Sequence, residues 1–279
     1  MEYIEAVFSL QPVDPWREIL TAELAETGFE SFEHTPEGIK AWCPAGLFNA
    51  GAVEEVLSVY SCRCTMSWQH GPVAPVNWNE EWEKNYEPVV ILDRCLIRAP
   101  FHTADKRYEF DIVIEPKMSF GTAHHETTRL MIGWLLSLDV SGKALLDMGC
   151  GTGVLAILAA LNGASPVTAI DNYIWACENT TENAARNDVT IKTIHGDVSA
   201  LAELPATFDM ILANINRNVL EEDIPVYAGK LKPQGELLIS GFFTVDEKIL
   251  DQVAQKHGLM KVAGATMGQW SSVRYKTHL

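Results

Sequence analysis

The stretch LLDMGCGTGVLA, residues 145–156, decides the fold. Ala144 to Met148 reads as a buried strand and Gly151 to Leu161 as a helix, with glycines where one turns into the other. Strand, glycine turn and helix together form the opening of a nucleotide-binding βαβ unit, in which glycines permit a tight turn and let a ligand approach the backbone. The spacing is G-x-G-x-G at Gly149, Gly151 and Gly153, not the dinucleotide G-x-G-x-x-G. Asp147 precedes the glycines at the strand's carboxyl end. An acid there would repel a pyrophosphate and attract an ammonium group. The next strand, VTAID, ends on Asp171, a carboxylate suited to accept from both ribose hydroxyls. Asp197, in HGDV, is expected at the end of the third strand, beside the edge of a base. The set favours a nucleoside carrying a cationic amino-acid chain, as S-adenosylmethionine (AdoMet) does, over NAD. The competing role for each acid is helix capping.

Outward from this centre, strands are expected at Val167 to Ile170, Ile191 to His195, Met210 to Ala213 and Leu237 to Ser240, with a helix over Ala176 to Arg186 and helical stretches between the later strands. Such alternation implies a doubly wound α/β sheet, mostly parallel. Met260 to Ala265 and Trp270 to Lys276 are joined by a link too short for a parallel crossover, so the last strand must be antiparallel. Upstream, Val89 to Ile97 and Arg107 to Glu115 read as two strands. The first 71 residues alternate as β-α-β-β-α-β, the order of a small α+β ferredoxin-like domain. The expected organisation is therefore a ferredoxin-like domain over 1–71 and a linker helix over 72–88. In that helix Trp78, Trp82 and Tyr86 share one face. An α/β domain over 89–279 follows, beginning with a strand extension.

Two further segments contribute polar groups. FDMILANINRNVL is an apolar strand running into Asn214 and Asn216, and polar groups at such a strand end fall in the ligand crevice of open α/β sheets. Asn216 also reads as a turn residue. In EPKMSFGTAHHETTRL, Phe120-Gly121-Thr122 is a turn, and residues 122 to 128 are expected in the first turns of a helix, placing Thr127 and Thr128 near the ligand. His124 and His125 are neighbours, point apart on a helix and have no third ligand at fitting spacing, so no metal site is expected.

The formal net charge of −16 disfavours nucleic-acid binding and suits a basic, lysine-rich partner; the bland alternative is solubility. No signal peptide or membrane-length apolar run is visible. The six cysteines are scattered and expected to be free, as in the cytoplasm. Cys150 is a candidate nucleophile only if the glycine pattern around it is ignored.

The runs EPKMSFGTAHHETTRL, LLDMGCGTGVLAI, AID and LANIN closely resemble the ribosomal protein methyltransferase family PrmA, as do NWNEEWEKNYEPVVI and the terminal QWSSVRYK. The resemblance covers residues 76 to 279. It implies a class I AdoMet methyltransferase acting on lysine side chains or the α-amine of large-subunit ribosomal protein eleven. In that family the amino-terminal domain recognises the substrate protein. The resemblance implies cofactor contacts at Thr128, Gly149, Asp171 and Asn214, with Phe120 and Gly151 nearby; the residue reading adds Gly121, Asp147 and Asp197. Asn214 would orient the acceptor nitrogen as the catalytic group. A cytoplasmic monomer meeting neither nucleic acid nor membrane is expected. Two departures are visible: Ala123 stands where the family has glycine, and Asn216 where an apolar residue is usual. Alanine is expected to avoid positive φ. The alternatives are a methyltransferase of another protein or a small molecule, an NAD-dependent dehydrogenase, and an inactive AdoMet-binding module.

Overall fold

A computed structural model describes residues 2–73, 86–117, 121–204 and 207–277. The chain divides into two compact units, Met1–Trp82 and Glu83–Leu279. Phe120, and the part of the expected linker helix that carries Trp78 and Trp82, lie outside the described residues.

The first unit runs β1 (Tyr3–Gln11), α1 (Trp16–Glu26), β2 (Ser31–Thr35), β3 (Gly38–Pro44), α2 (Ala50–Tyr60) and β4 (Thr65–Pro72). Its antiparallel sheet has the order β2-β3-β1-β4, the ferredoxin-like arrangement. Alternation drives it. Ala6, Phe8 and Leu10 of β1 and Ile39, Ala41 and Cys43 of β3 are buried on one face. Leu20 and Leu24 of α1, four apart, and Val53 of α2 cover that face. Asn49 caps α2 by accepting from Gly51 and Ala52.

The second unit opens with a small sheet, β5 (Val89–Ile91), β6 (Cys95–Arg98) and β7 (Phe110–Val113). The single strand expected over Val89 to Ile97 is instead a hairpin. Leu92 and Asp93 both take positive φ, 51° and 52°, and fold β5 back antiparallel on β6. Leucine is disfavoured in that conformation, so residue type gave no sign of the turn. The strand expected over Arg107 to Glu115 is confined to β7, because Arg107 is held in a turn by Asp105.

The main sheet follows. Helix α3 (Glu126–Ser137) precedes β8 (Leu145–Met148), α4 (Val154–Leu161), β9 (Val167–Asp171), α5 (Ile174–Arg186) and β10 (Lys192–His195). A 3-10 turn (Val198–Glu203), β11 (Phe208–Asn214), α6 (Arg217–Lys230), β12 (Leu231–Phe243), α7 (Glu247–Lys256), β13 (Leu259–Met267) and β14 (Trp270–Thr277) complete it. The strand order is β10-β9-β8-β11-β12-β14-β13. The first five are parallel, and β14 is antiparallel to both neighbours. The doubly wound sheet with an antiparallel last strand is thus as the sequence implies. Both faces are covered: Leu145, Met210 and Leu212 belong to one buried cluster, Leu146, Ile211 and Ala213 to the other. Burial on both faces is why the central strands read as unbroken apolar runs.

Two further boundaries differ markedly from expectation. Helix α3 begins at Glu126, capped by His125, not at residue 122. Gly121 and Ala123 have φ of 108° and 65°, which no right-handed helix accommodates. Alanine therefore does adopt the left-handed conformation here; Ala123 is fully buried and its carbonyl accepts from Arg129 Nε at 3.0 Å. Strand β12 is far longer than Leu237 to Ser240, with a register shift beside Gly241.

At Gly241, φ is 96° and an added Cβ would stand 2.2 Å from the Ile215 carbonyl oxygen. Gly241→Ala is expected to destabilise the second unit by at least ~2 kcal/mol, through strain and the backbone clash together. A melting midpoint equal to that of the parent chain would contradict this packing.

Candidate functional site

The chain reverses its winding direction at β8: β9 and β10 lie to one side, β11 and β12 to the other. Open sheets bind ligands outside the strand ends at such a switch point. A cleft of about 370 Å³ lies there, with Gly149, Gly151, Asp171, Asp197 and Asn214 on its walls.

The glycine turn is shaped by what presses on it. Gly149, Gly151 and Gly153 have φ of 71°, 56° and 81°. A Cβ on Gly149 would stand 2.3 Å from Ile215 Cγ2, and one on Gly153 2.8 Å from Thr180 Cγ2. The amides of Gly149 and Cys150 donate to the Ile170 carbonyl at 2.8 and 3.1 Å, tying the turn to β9. Asp171 locks the same junction. Its two oxygens accept from Gly151 N at 2.9 Å and Tyr173 N at 3.0 Å. An ionised carboxylate has about four acceptor positions, so two more are open to a ligand's hydroxyls.

Asp147 lies beneath the turn and is not part of the cleft wall. It is buried; Oδ2 accepts from Ala156 N at 3.2 Å, while Oδ1 has no hydrogen-bond partner among the described residues. Burial pushes its carboxyl up to about 7, with the Asp171 charge adding to the effect. Asn214 has a comparable orphan. Its Nδ2 donates to Thr128 Oγ1 at 3.3 Å, and its buried Oδ1 has no partner among the described residues. Thr128 is itself buried in the first turn of α3. Gly121 is joined to the glycine turn through its carbonyl, which accepts from Thr152 Oγ1 at 2.7 Å.

Other expected residues turn out to hold the scaffold. Asp197 caps the 3-10 turn, accepting from Ser199 N and Oγ, and these bonds hold its carboxyl below the ordinary value. It is also exposed on the cleft wall. Asn216 caps α6 by accepting from Val219 N at 3.2 Å. His125 accepts from Thr127 N, and His124 meets the Glu87 carbonyl at 2.9 Å. Among the described residues no three His, Cys, Asp or Glu side chains group as a metal site. The buried Cys150 thiol is pushed far up by burial, which removes it as a nucleophile.

Sequence reasoning missed two features of the wall. Tyr173 and Trp175 stack at 5.0 Å and are exposed at the start of α5; aromatic residues two and four positions after Asp171 were the available signal. Asp223 and Tyr227, four apart on α6, also line the cleft.

The geometry suits one kind of ligand. A glycine turn with no room for Cβ, open acceptor positions on Asp171, the orphan oxygen of Asn214 on the wall and the buried Asp147 carboxyl beneath the turn suit a donor-rich molecule bearing hydroxyls and a cationic group. AdoMet has these. The sheet order, the glycine turn and the acid closing the second strand define the class I AdoMet-dependent methyltransferases.

Residues 38–278 match the family described as ribosomal protein L11 methyltransferase (PrmA), and the chain belongs to that family. A ribosomal protein L11 methyltransferase of Porphyromonas gingivalis is 44% identical over 99% of this chain and 98% of its own length. One from Bacteroides fragilis is 42% identical over 99% of both. Among solved structures, a ribosomal protein L11 methylase of Lactobacillus delbrueckii subsp. bulgaricus superposes with a TM-score of 0.63 at 26% identity, covering 69% of this chain and all of the other.

Burial of Asp147 has a stability consequence. Its folded value, about 7, lies above the unfolded one, so the folded state binds more protons between about pH 4 and 7 and loses stability as pH rises through that window. Asp147→Asn is expected to melt close to the parent chain at pH 4 and above it at pH 8. A difference independent of pH would contradict the burial of an ionisable group there.

Proposed function

We propose that the chain transfers methyl groups from AdoMet to amine nitrogens of ribosomal protein L11, on lysine side chains or the α-amino group. When bound, AdoMet supplies an electrophilic methyl group on a positively charged sulfur. Asp171 would hold the ribose hydroxyls, the Gly149–Gly153 turn would face the amino-acid portion, and Asp147 would offset its ammonium charge from below. Asp197 stands where the base edge belongs. The observation that carries the reading is the buried, unpartnered Asn214 Oδ1 at the cleft. It is an acceptor fixed by Thr128, and an amine nitrogen supplies the donor it lacks.

The acceptor nitrogen must be neutral to react. At pH 7, deprotonating a lysine costs about 4.6 kcal/mol from reference values, and an α-amine about 1 to 1.4 kcal/mol. Solvent can take that proton before the amine enters the cleft, so the reading requires no strong base. Asn214 then acts by orientation, which is the larger catalytic contribution. Recognition of the substrate protein is assigned to the ferredoxin-like unit over residues 1–71, with 72–88 as linker, and the net charge of −16 favours a lysine-rich partner. A ribosomal protein as substrate would make the cytoplasm the enzyme's working compartment. No helix of the described residues is long and apolar enough to cross a membrane.

The deciding experiment is a labelled-methyl transfer assay with purified chain, AdoMet and unmethylated ribosomal protein L11, followed by mass spectrometry. Mass gains in steps of about 14 Da (one methylene) on lysines or the amino terminus are expected; no transfer under conditions where AdoMet binds would discard the substrate. With a lysine acceptor, kcat/KM is expected to rise about tenfold per pH unit below the acceptor's own pKa. Asn214→Ala is expected to lower kcat/KM roughly 10- to 100-fold, the worth of one buried hydrogen bond to the reacting group; unchanged kinetics would remove Asn214 from the reaction.

A further inference from the structure

The cleft wall includes residues that the transfer reaction does not use. Asp223 and Tyr227 lie one turn apart on α6, and both line the cleft. Asp223 is only 9% exposed and Tyr227 fully buried. The Tyr227 hydroxyl donates to Asp223 Oδ2 at 2.9 Å. Asp223 Oδ1 has no hydrogen bond among the described residues and, unlike Asn214 Oδ1, is not a fully buried orphan; the residue lines the cleft. Asp197 stands on the same wall, close enough that its charge, after burial, helps push the Asp223 carboxyl up. No Lys, Arg or His lines the cleft among the described residues. Val198 and Val219 add apolar surface to the same cleft.

A nearly buried carboxylate without a cationic partner needs donors. We propose that Asp223, positioned by Tyr227, is a specificity residue that accepts from the exocyclic amine of the ligand's base and so selects an aminopurine over bases lacking that donor. The inference rests on the reading of the cleft as a nucleoside site: with the ribose at Asp171 and the amino-acid portion at the glycine turn, the base is left for the wall that carries Asp197 and Asp223. An exocyclic amine has two N–H donors, and Asp197 and Asp223 present two carboxylates. A base with a carbonyl at that position would set its oxygen against both. Tyr227 is a positioning residue, since it fixes one carboxylate oxygen and turns the other to the cleft. The bland alternative is that Asp223 only satisfies the buried Tyr227 hydroxyl. In that case its loss would weaken the fold and affect every ligand alike.

The test is calorimetric binding of two ligands to the full chain: S-adenosylhomocysteine, and its analogue with hydrogen in place of the purine's exocyclic amine. The parent chain is expected to prefer the amine at least about tenfold, the effect of a hydrogen bond to a charged acceptor. In Asp223→Ala that preference should fall several-fold through weaker binding of the amine ligand alone, and Tyr227→Phe should fall between. Should Asp223→Ala fail to fold, Asp223→Asn keeps the shape, offers a neutral acceptor and must also narrow the preference. A preference unchanged in a folded Asp223 variant overturns the proposal. Equal binding of both ligands to the parent chain overturns it too while leaving the nucleoside site standing. Binding of neither refutes the nucleoside reading and this inference together.

Discussion

The carboxyl edge of the sheet depends on one residue being clamped between two glycines. Ile215 follows β11 and fills the space where Gly149 would carry a Cβ; its carbonyl fills the space where Gly241 would carry another. Its amide donates to the Ser240 carbonyl at 3.1 Å, extending the β11–β12 ladder by one residue. Close packing leaves the segment no alternative path. Asn214 and Asn216 flank Ile215, so the clamp sets both: Asn214 is held at the cleft against Thr128, and Asn216 is turned to cap α6. The glycine turn is fixed from its other side by Asp171 and by the Ile170 carbonyl. Three strand ends are thereby held in one arrangement by backbone packing and hydrogen bonds.

Much of the site's charge is negative and largely uncompensated by cations. Asp171 accepts from two backbone amides, and the Ser199 amide and hydroxyl hold the Asp197 carboxyl below its ordinary value without neutralising its charge. Asp147 and Asp223 are less well served, and burial drives both carboxyls up. Such acids cost folding stability and are retained where function needs them. A ligand with an ammonium and several N–H and O–H donors relieves that strain on binding. The apo protein is therefore expected to gain stability when ligand is present, in proportion to the affinity.

Legibility followed burial pattern and turn chemistry. The doubly wound sheet, its antiparallel last strand and the ferredoxin-like order were readable because alternation and continuous apolar runs report which faces are covered. The glycine turn was readable because three glycines between two strand-ending acids suit little besides a nucleoside-binding turn. The Leu92-Asp93 hairpin was not, since neither residue advertises positive φ. Helix α3 started later than expected because Ala123 takes a left-handed conformation its residue type argues against. Asp147 and Asp171 look alike in sequence, each at a strand's last positions. Only the structure separates them, one beneath the turn and one on the wall. Asp223 and Tyr227 had legible helical spacing, but nothing local said that their face of α6 turns to the cleft.

The most direct measurement is a structure of the chain with S-adenosylhomocysteine bound. The ligand is expected at the ends of β8, β9 and β11, with ribose hydroxyls on the Asp171 carboxylate and its amino-acid portion at the Gly149–Gly153 turn. A ligand seated elsewhere, or one that leaves Asp171 untouched, would contradict the assignment of this cleft as the AdoMet site.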